Sequence, residues 1–412
     1  MRGMPSAINR RQMLSLCALC AIVLSTAAGL PHKAAPAATP VVAPVAPLAP
    51  LAPSEVLMPM PGGHESLRLQ IEALLTPVQK TPEQRVLQAA EAFAAMRVSG
   101  QETLAGLIER QLQREDLKDF LPARLMLADL LQYQHRFGEA RDLLRTLEAP
   151  AAGRTAYWRL RANLYRIGGQ ISEMANSCQQ GASISQSGWT VLCKAEVAAL
   201  RGESAERDRL LSTLLTDHGE SLHKHSDLLT WAGDLFVRSG AIESAAHLFR
   251  KALLVAPRAY TVDRLIQFQL THEGPEQAAR TLNWWEQTGQ APEASVQLLK
   301  ALISAANGVR EPATQLLHAL QTALPAKGVP SDTPVHWREL ARLAIALEPA
   351  GELARQYATQ NWQQQKEPID AVLLARAASA GGDEIALTQL SRELETRQMA
   401  GLMTDFTLER WL

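Results

Sequence analysis

Residues 231–258 read WAGDLFVRSGAIESAAHLFRKALLVAPR, a helical sequence with its smallest side chains in unexpected places. Gly233 interrupts an apolar helical run where Leu would be usual; Ala245 and Ala252 follow in the second half of the stretch. Small residues let two helix backbones approach closely, and packed helices need them at the tightest crossing. Gly233 and Ala245 are therefore expected where the two helices of a hairpin cross, and Ala252 where the next hairpin packs. Phe236 and Phe249 would fill the space between. Gly240 marks the turn, and Pro257 closes the second helix because it cannot continue one.

The pattern recurs along the chain. PARLMLADLLQYQHRFGEARDLLRTLEAP (122–150) carries Ala128, Leu131, Phe137, Ala140, Leu144 and Leu147 at matching offsets. AYWRLRANLYRIGGQISEMANSCQQGA (156–182) carries Ala162, Tyr165, Gly169, Met174, Cys178 and Gly181. The period is 33 or 34 residues, and it resembles the tetratricopeptide repeat. That resemblance implies an all-α fold, a right-handed α-solenoid of helix–turn–helix units whose first helices line a concave binding face. Looser units fall at 188–217, 260–292, 294–324, 334–362 and 368–396, with turns at Asn307-Gly308 and Gly381-Gly382. Helices at 65–76, 82–97 and 101–113 would cap one end and residues 404–412 the other. Residues 64–412 thus read as one solenoid, and no alternating β-branched run is long enough for a strand.

Composition agrees with close-packed helices. The 412 residues are 47% hydrophobic but only 5% aromatic, so Ala and Leu carry the burial. Net charge is −1 and no Lys/Arg run exceeds two residues. A nucleic-acid partner is disfavoured, because phosphate binding needs clustered basic charge.

The N-terminus reads as a targeting segment. Arg2, Arg10 and Arg11 precede an apolar run from Met13 to Leu24, and small residues Ser25 to Gly29 follow. This order describes a secretory signal peptide over 1–29, and Arg10-Arg11 resembles a twin-arginine export motif. The alternative is an uncleaved anchor through residues 13–30, a segment at the lower limit of the roughly 17–25 residues that span a bilayer. A lipoprotein site is disfavoured by Leu before both Cys17 and Cys20. The expected location is periplasmic or exported, or anchored in the inner membrane facing the periplasm. Residues 30–63 form an Ala/Pro-rich spacer, in which Pro44, Pro47, Pro50 and Pro53 match the three-residue turn of polyproline II.

Signatures of chemistry are scarce. No phosphate loop, dinucleotide fingerprint, GxSxG elbow or HExxH helix occurs, so neither a catalytic residue nor a cofactor is expected. The richest polar cluster is DHGESLHKH (217–225), with His218, His223 and His225. On a helix His223 and His225 would diverge by about 200°, so a shared metal would need an extended segment. Cys178 and Cys193 stand about level across the turn at Ser185–Gln186. They are either disulfide-bonded, as an oxidising compartment would favour, or two small packed side chains.

Transferring the repeat register places Asp129, Tyr133, Arg159, Asn163, Arg166, Asp234, Arg238, Arg264 and Phe268 on the concave face as candidate partner-binding residues. Arg159 with Asn163 resembles half of the carboxylate clamp of chaperone-binding repeats. Cys193, Asp227 and Trp231 occupy the positions where the rest of that clamp would stand, which argues against such a receptor. HWRELARLAI (336–345), NWQQQKEPIDAVLLARAASAGGD (361–383) and the two cysteines also resemble exported bacterial tetratricopeptide proteins of unassigned role. That family is encoded beside HupE/UreJ-like membrane proteins, which implies a metal-related context. The expectation is a non-catalytic exported scaffold that grips another protein or peptide in its concave groove. The alternative is a periplasmic metal-handling accessory using the loop 217–225.

Overall fold

The computed structural model describes residues 81–99, 104–289, 291–324 and 336–405, and every regular element among them is helical. The signal, the spacer and the helix expected at 65–76 lie outside the described residues, as do residues 406–412. The first hairpins are α1 (Pro82–Ser99) with α2 (Ala105–Leu112), α3 (Leu121–Tyr133) with α4 (Phe137–Thr146), and α5 (Thr155–Ile167) with α6 (Ile171–Ile184). Then come α7 (Gly188–Arg201) with α8 (Ser204–Asp217), α9 (Ser226–Ser239) with α10 (Ile242–Val255), and α11 (Ala259–His272) with α12 (Pro275–Gln287). The last are α13 (Glu293–Ala306) with α14 (Glu311–Thr322), α15 (Trp337–Leu347) with α16 (Glu352–Gln364), and α17 (Pro368–Ala380) with α18 (Glu384–Thr396). A short α19 (Gly401–Asp405) follows. Each helix packs on the next, and first helices pack on first helices along α1, α3 and α5 and again from α7 through α9, α11, α13 and α15 to α17, so the described residues form an all-α solenoid of tetratricopeptide-like hairpins.

The expected crossing is present. A Cβ added at Gly233 would stand 2.8 Å from the Phe249 ring, so the ring on α10 occupies the space that any side chain at 233 on α9 would need. Ala245 and Ala252 are fully buried beside them. The Phe249 ring meets Phe268 of the next hairpin, centroids 5.4 Å apart, and α10 stops two residues short of Pro257. The intra-hairpin turns repeat as well. His135, Gly169, Gly202, Gly240, Gly274, Gly308 and Gly382 all have positive φ, and Gly240, Gly274 and Gly308 recur at the 34-residue period.

The array also closes on itself. Between α16 and α17 the Lys366 amide donates to the Ile167 carbonyl at the end of α5, 2.7 Å away. Arg397 donates to the Gly168 carbonyl at 3.2 Å, and Arg201 to the Gln398 amide oxygen at 3.1 Å. Gly401 lies so close to the end of α7 that an added Cβ would overlap the Ala199 carbonyl. One continuous apolar cluster accordingly joins α5, α6 and α7 to α13 through α18, by way of Met174, Trp189, Leu340 and Trp362 among others. Earlier in the chain, α1 reaches α9 through Arg97 and Asp227.

Cys178 on α6 and Cys193 on α7 are joined as a disulfide, Cα–Cα 5.7 Å, tying one hairpin to the next. No helix among the described residues is long and apolar enough to cross a membrane, and the candidate anchor 13–30 lies outside them.

Two outcomes test this packing. In urea titrations Gly233→Leu should destabilise by about 1–3 kcal/mol, because Phe249 is fully buried and cannot move aside. Gly138→Ala, where an added Cβ meets nothing within 4 Å, should be neutral or stabilising by up to about 1 kcal/mol in the same urea titrations. Alkylation of the denatured, unreduced protein should leave Cys178 and Cys193 unlabelled, and reduction should lower stability by roughly 3 kcal/mol for a loop of this length. Two freely labelled thiols would refute the bridge.

Candidate functional site

The inner face is built from the first helices, and its chemistry starts at the entry to α17. Glu367-Pro368-Ile369-Asp370 is a helix-starting sequence: Pro368 occupies the first turn, where its missing N–H costs nothing, and an acid stands on either side. Asp370 accepts the Glu367 N–H at 3.0 Å, and both carboxylates face the positive end of the helix. Arg338 on α15 binds both. It donates to the two Asp370 oxygens at 2.7 and 2.8 Å and to Glu367 at 2.5 Å, while Asn361 adds a bond to Asp370 at 2.7 Å. The other Glu367 oxygen meets Arg166 of α5 at 2.7 Å, across the closure of the solenoid.

Similar pairs continue around the inside. Arg342 of α15 binds Asp263 of α11 at 2.8 Å, and Arg264 of α11 binds Asp234 of α9 at 2.6 Å. Arg238 of α9 binds Glu196 of α7, which also accepts from Trp231 at 2.9 Å. Trp231 in turn lies under Arg166, 5.8 Å from guanidinium to ring centre. Nearer α1, Asp227 is shared by Arg97 and Arg258 at 3.4 and 2.5 Å.

Most of the candidate partner-binding residues are therefore held by the chain itself. Arg166, Arg238, Arg264 and Asp234 are in these ion pairs, and Asn163 accepts from Arg166 at 3.0 Å. The Arg238 and Glu196 side chains are only 2% and 1% exposed, so Arg238 belongs to the interior. Phe268 is 5% exposed and packs against Phe249 and His272, so it is a core residue. Reversing Arg166, Arg238 or Arg264 to Glu would therefore set two acids against each other and cost stability as well as any binding. Tyr133 is half-buried, edge-on to Phe93. Burial pushes the Asp129 carboxyl above the usual range, against the pull of Arg97 and Arg159. Arg159 is exposed.

Residues the register did not single out complete the face. Glu196, Asp263, Arg338, Arg342, Glu367 and Asp370 are the missing halves of the pairs, and the acid–Pro–x–acid start of α17 is the one local signal that announces any of them. Tyr260 is half exposed yet enclosed by the inner wall, and that burial, with Asp234 beside it, pushes its phenol up. Among the described residues no group of three or more His, Cys, Asp or Glu side chains is placed to hold a metal ion. His223 is held below its usual pKa, chiefly by burial.

No family model matches the chain, and no curated protein matches it. The likeness to proteins encoded beside HupE/UreJ-like membrane proteins therefore finds no support. Solved structures similar to it include PilW, a widely conserved type IV pilus biogenesis factor, at 16% identity and TM-score 0.38, over 50% of this chain and 94% of that one. Pseudomonas aeruginosa pilF is similar at 12% identity and TM-score 0.35, over 50% and 92%. A tetratricopeptide repeat protein from Parabacteroides merdae is similar at 14% identity and TM-score 0.39, over 63% and 99%.

Removing one partner of a buried pair strands the other charge, whereas replacing both with apolar groups can be neutral. Arg238→Ala should therefore cost about 3–5 kcal/mol in chemical denaturation, and Glu196→Leu combined with Arg238→Met should recover most of it. A single substitution as mild as the double would refute the structural role.

Burial alone would raise the pKa of Glu367, but Arg166, Arg338 and Arg264 outweigh it and hold the group at about 2, against an ordinary 4.5. Its contribution is then complete above pH about 5, falls as pH drops toward 2, and vanishes once the carboxyl is protonated in both states. The stability gap between the wild type and Glu367→Gln should shrink over that interval. A gap that stayed constant with pH would contradict the pairing.

Proposed function

We propose that the chain is an exported, non-catalytic scaffold that binds another protein through the part of its inner face that its own ion pairs leave open. The observation that carries this reading is the contrast within that face. Arg238 and its neighbours are committed, while Arg159 on α5 is exposed and Tyr260 at the start of α11 shows half its surface. Arginine and aromatic side chains are the residues most enriched where proteins bind one another. The basic, apolar and small-residue order of residues 1–29 supports export. The inner-membrane anchor is the competing fate of the same segment, and no observation favours the metal-handling alternative.

A tagged chain cross-linked in intact cells and fractionated tests both parts. The expected result is recovery with the envelope, without Met1, and with a protein partner whose capture is lost in the Arg159→Glu, Tyr260→Ala variant at unchanged melting temperature. Cytosolic recovery with Met1 retained would refute export, and undiminished capture by the double variant would refute this face.

A further inference from the structure

A cavity of about 280 Å³ opens on the inner face among α9, α11, α13, α15 and α17. Its wall is largely apolar: Leu302, Ile345, Ile369, Val372 and Leu373 line it. Its polar groups are nearly all engaged with one another. Arg264 is paired with Asp234 and Arg342 with Asp263, and Gln267 bridges Arg264 and Asp263 at 2.8 and 2.6 Å. His272 lies against the Phe268 ring, and burial lowers its pKa, which keeps it neutral. Arg376 differs. It continues the Ile369, Val372, Leu373 stripe of α17 by one turn, is half-buried, and has no acceptor, carboxylate or ring against it among the described residues. Burial acts on its guanidinium with no anion to offset it. Arginine does not lose its proton in proteins, so the cavity carries one uncompensated positive charge.

We propose that this cavity binds a small amphiphilic monocarboxylate, its carboxylate on Arg376 and its hydrocarbon body against Leu302, Ile345, Ile369 and Val372. A guanidinium presents two parallel N–H groups that match a carboxylate, and such charge-assisted bonds strengthen where water is excluded. The other two arginines of the wall are already paired, Arg264 with Asp234 and Arg342 with Asp263, and its apolar side chains offer hydrocarbon a surface to cover. Size sets the class. The volume equals about nine waters at ~30 Å³ each, just under the ~300 Å³ at which ligand pockets begin, and an α-helix of ~10–12 Å diameter could not enter. A dianion would leave one charge unmatched, and an alcohol of equal length would leave Arg376 unpaired. This site is independent of the scaffold reading.

Calorimetric titration of the purified chain with octanoate, below its micelle concentration, tests the proposal, with octan-1-ol and acetate as partial ligands. One-site octanoate binding is expected, with both partial ligands at least about tenfold weaker, since each keeps only half of the recognition. Arg376→Gln should weaken octanoate at least about tenfold at unchanged helix content, because the side chain makes no contact that folding needs. Ala346→Phe, which fills the cavity while leaving Arg376 in place, should abolish binding, and it remains informative should the arginine variant fold poorly. No saturable binding by millimolar octanoate would overturn the site. So would unchanged affinity in either variant, or binding of N-acetyl-Ala-Leu where octanoate fails, which would point to a chain terminus instead.

Discussion

The contact between Arg166 on α5 and Glu367 at the start of α17 joins parts of the solenoid that a simple stack of repeats would keep apart. In a repeat array each unit ordinarily touches only its neighbours, and stability is a sum of local terms. Here the seam adds the Lys366 to Ile167 backbone bond, the Arg397 contact with Gly168 and the docking of Gly401 on α7. The apolar cluster running from Met174 to Trp362 passes through the same seam. The inner pairs follow from it, because a wall that curves back on itself encloses its own charges. Enclosed charges must be matched or they oppose folding. The matching is incomplete in places: Glu196 Oε1 and Arg238 Nη1 are buried without a hydrogen bond, as is Arg258 Nε.

How much of this the sequence discloses depends on the range of each interaction. Gly233, Ala245 and Ala252 announce the hairpin crossing because both helices lie within one short stretch and the constraint is steric. The 33–34-residue period likewise reports contacts between adjacent hairpins. The closure has no such period. Arg166 and Glu367, or Arg342 and Asp263, lie far apart in sequence, and no local pattern distinguishes an inner arginine awaiting a partner protein from one already paired within the chain. The register turns Arg166, Arg238 and Arg264 inward, but it carries no information about the acids opposite them. Phe268 is core rather than groove lining for a related reason: an aromatic residue on a first helix serves equally as either, and Phe249 of the preceding hairpin decides for filling.

The consequence for function is a division of the inner face. The paired arginines, glutamates and aspartates hold the curve in one geometry, and a fixed geometry lowers the ordering cost of binding. Arg159, Tyr260 and Arg376 stand outside those ion pairs. The first two stand where a protein surface could reach them, and the third stands in a cavity too small for one.

The most direct test of the closed solenoid is hydrogen exchange at the Lys366 amide. That N–H lies in the connection between α16 and α17, outside any helix, and its acceptor is the Ile167 carbonyl at the end of α5. If the solenoid closes in solution, this amide should be protected to the same degree as the buried amides of α9, because only opening the seam exposes it. Exchange at the rate of an open, solvated loop would show that α5 and α17 do not meet and would contradict the account.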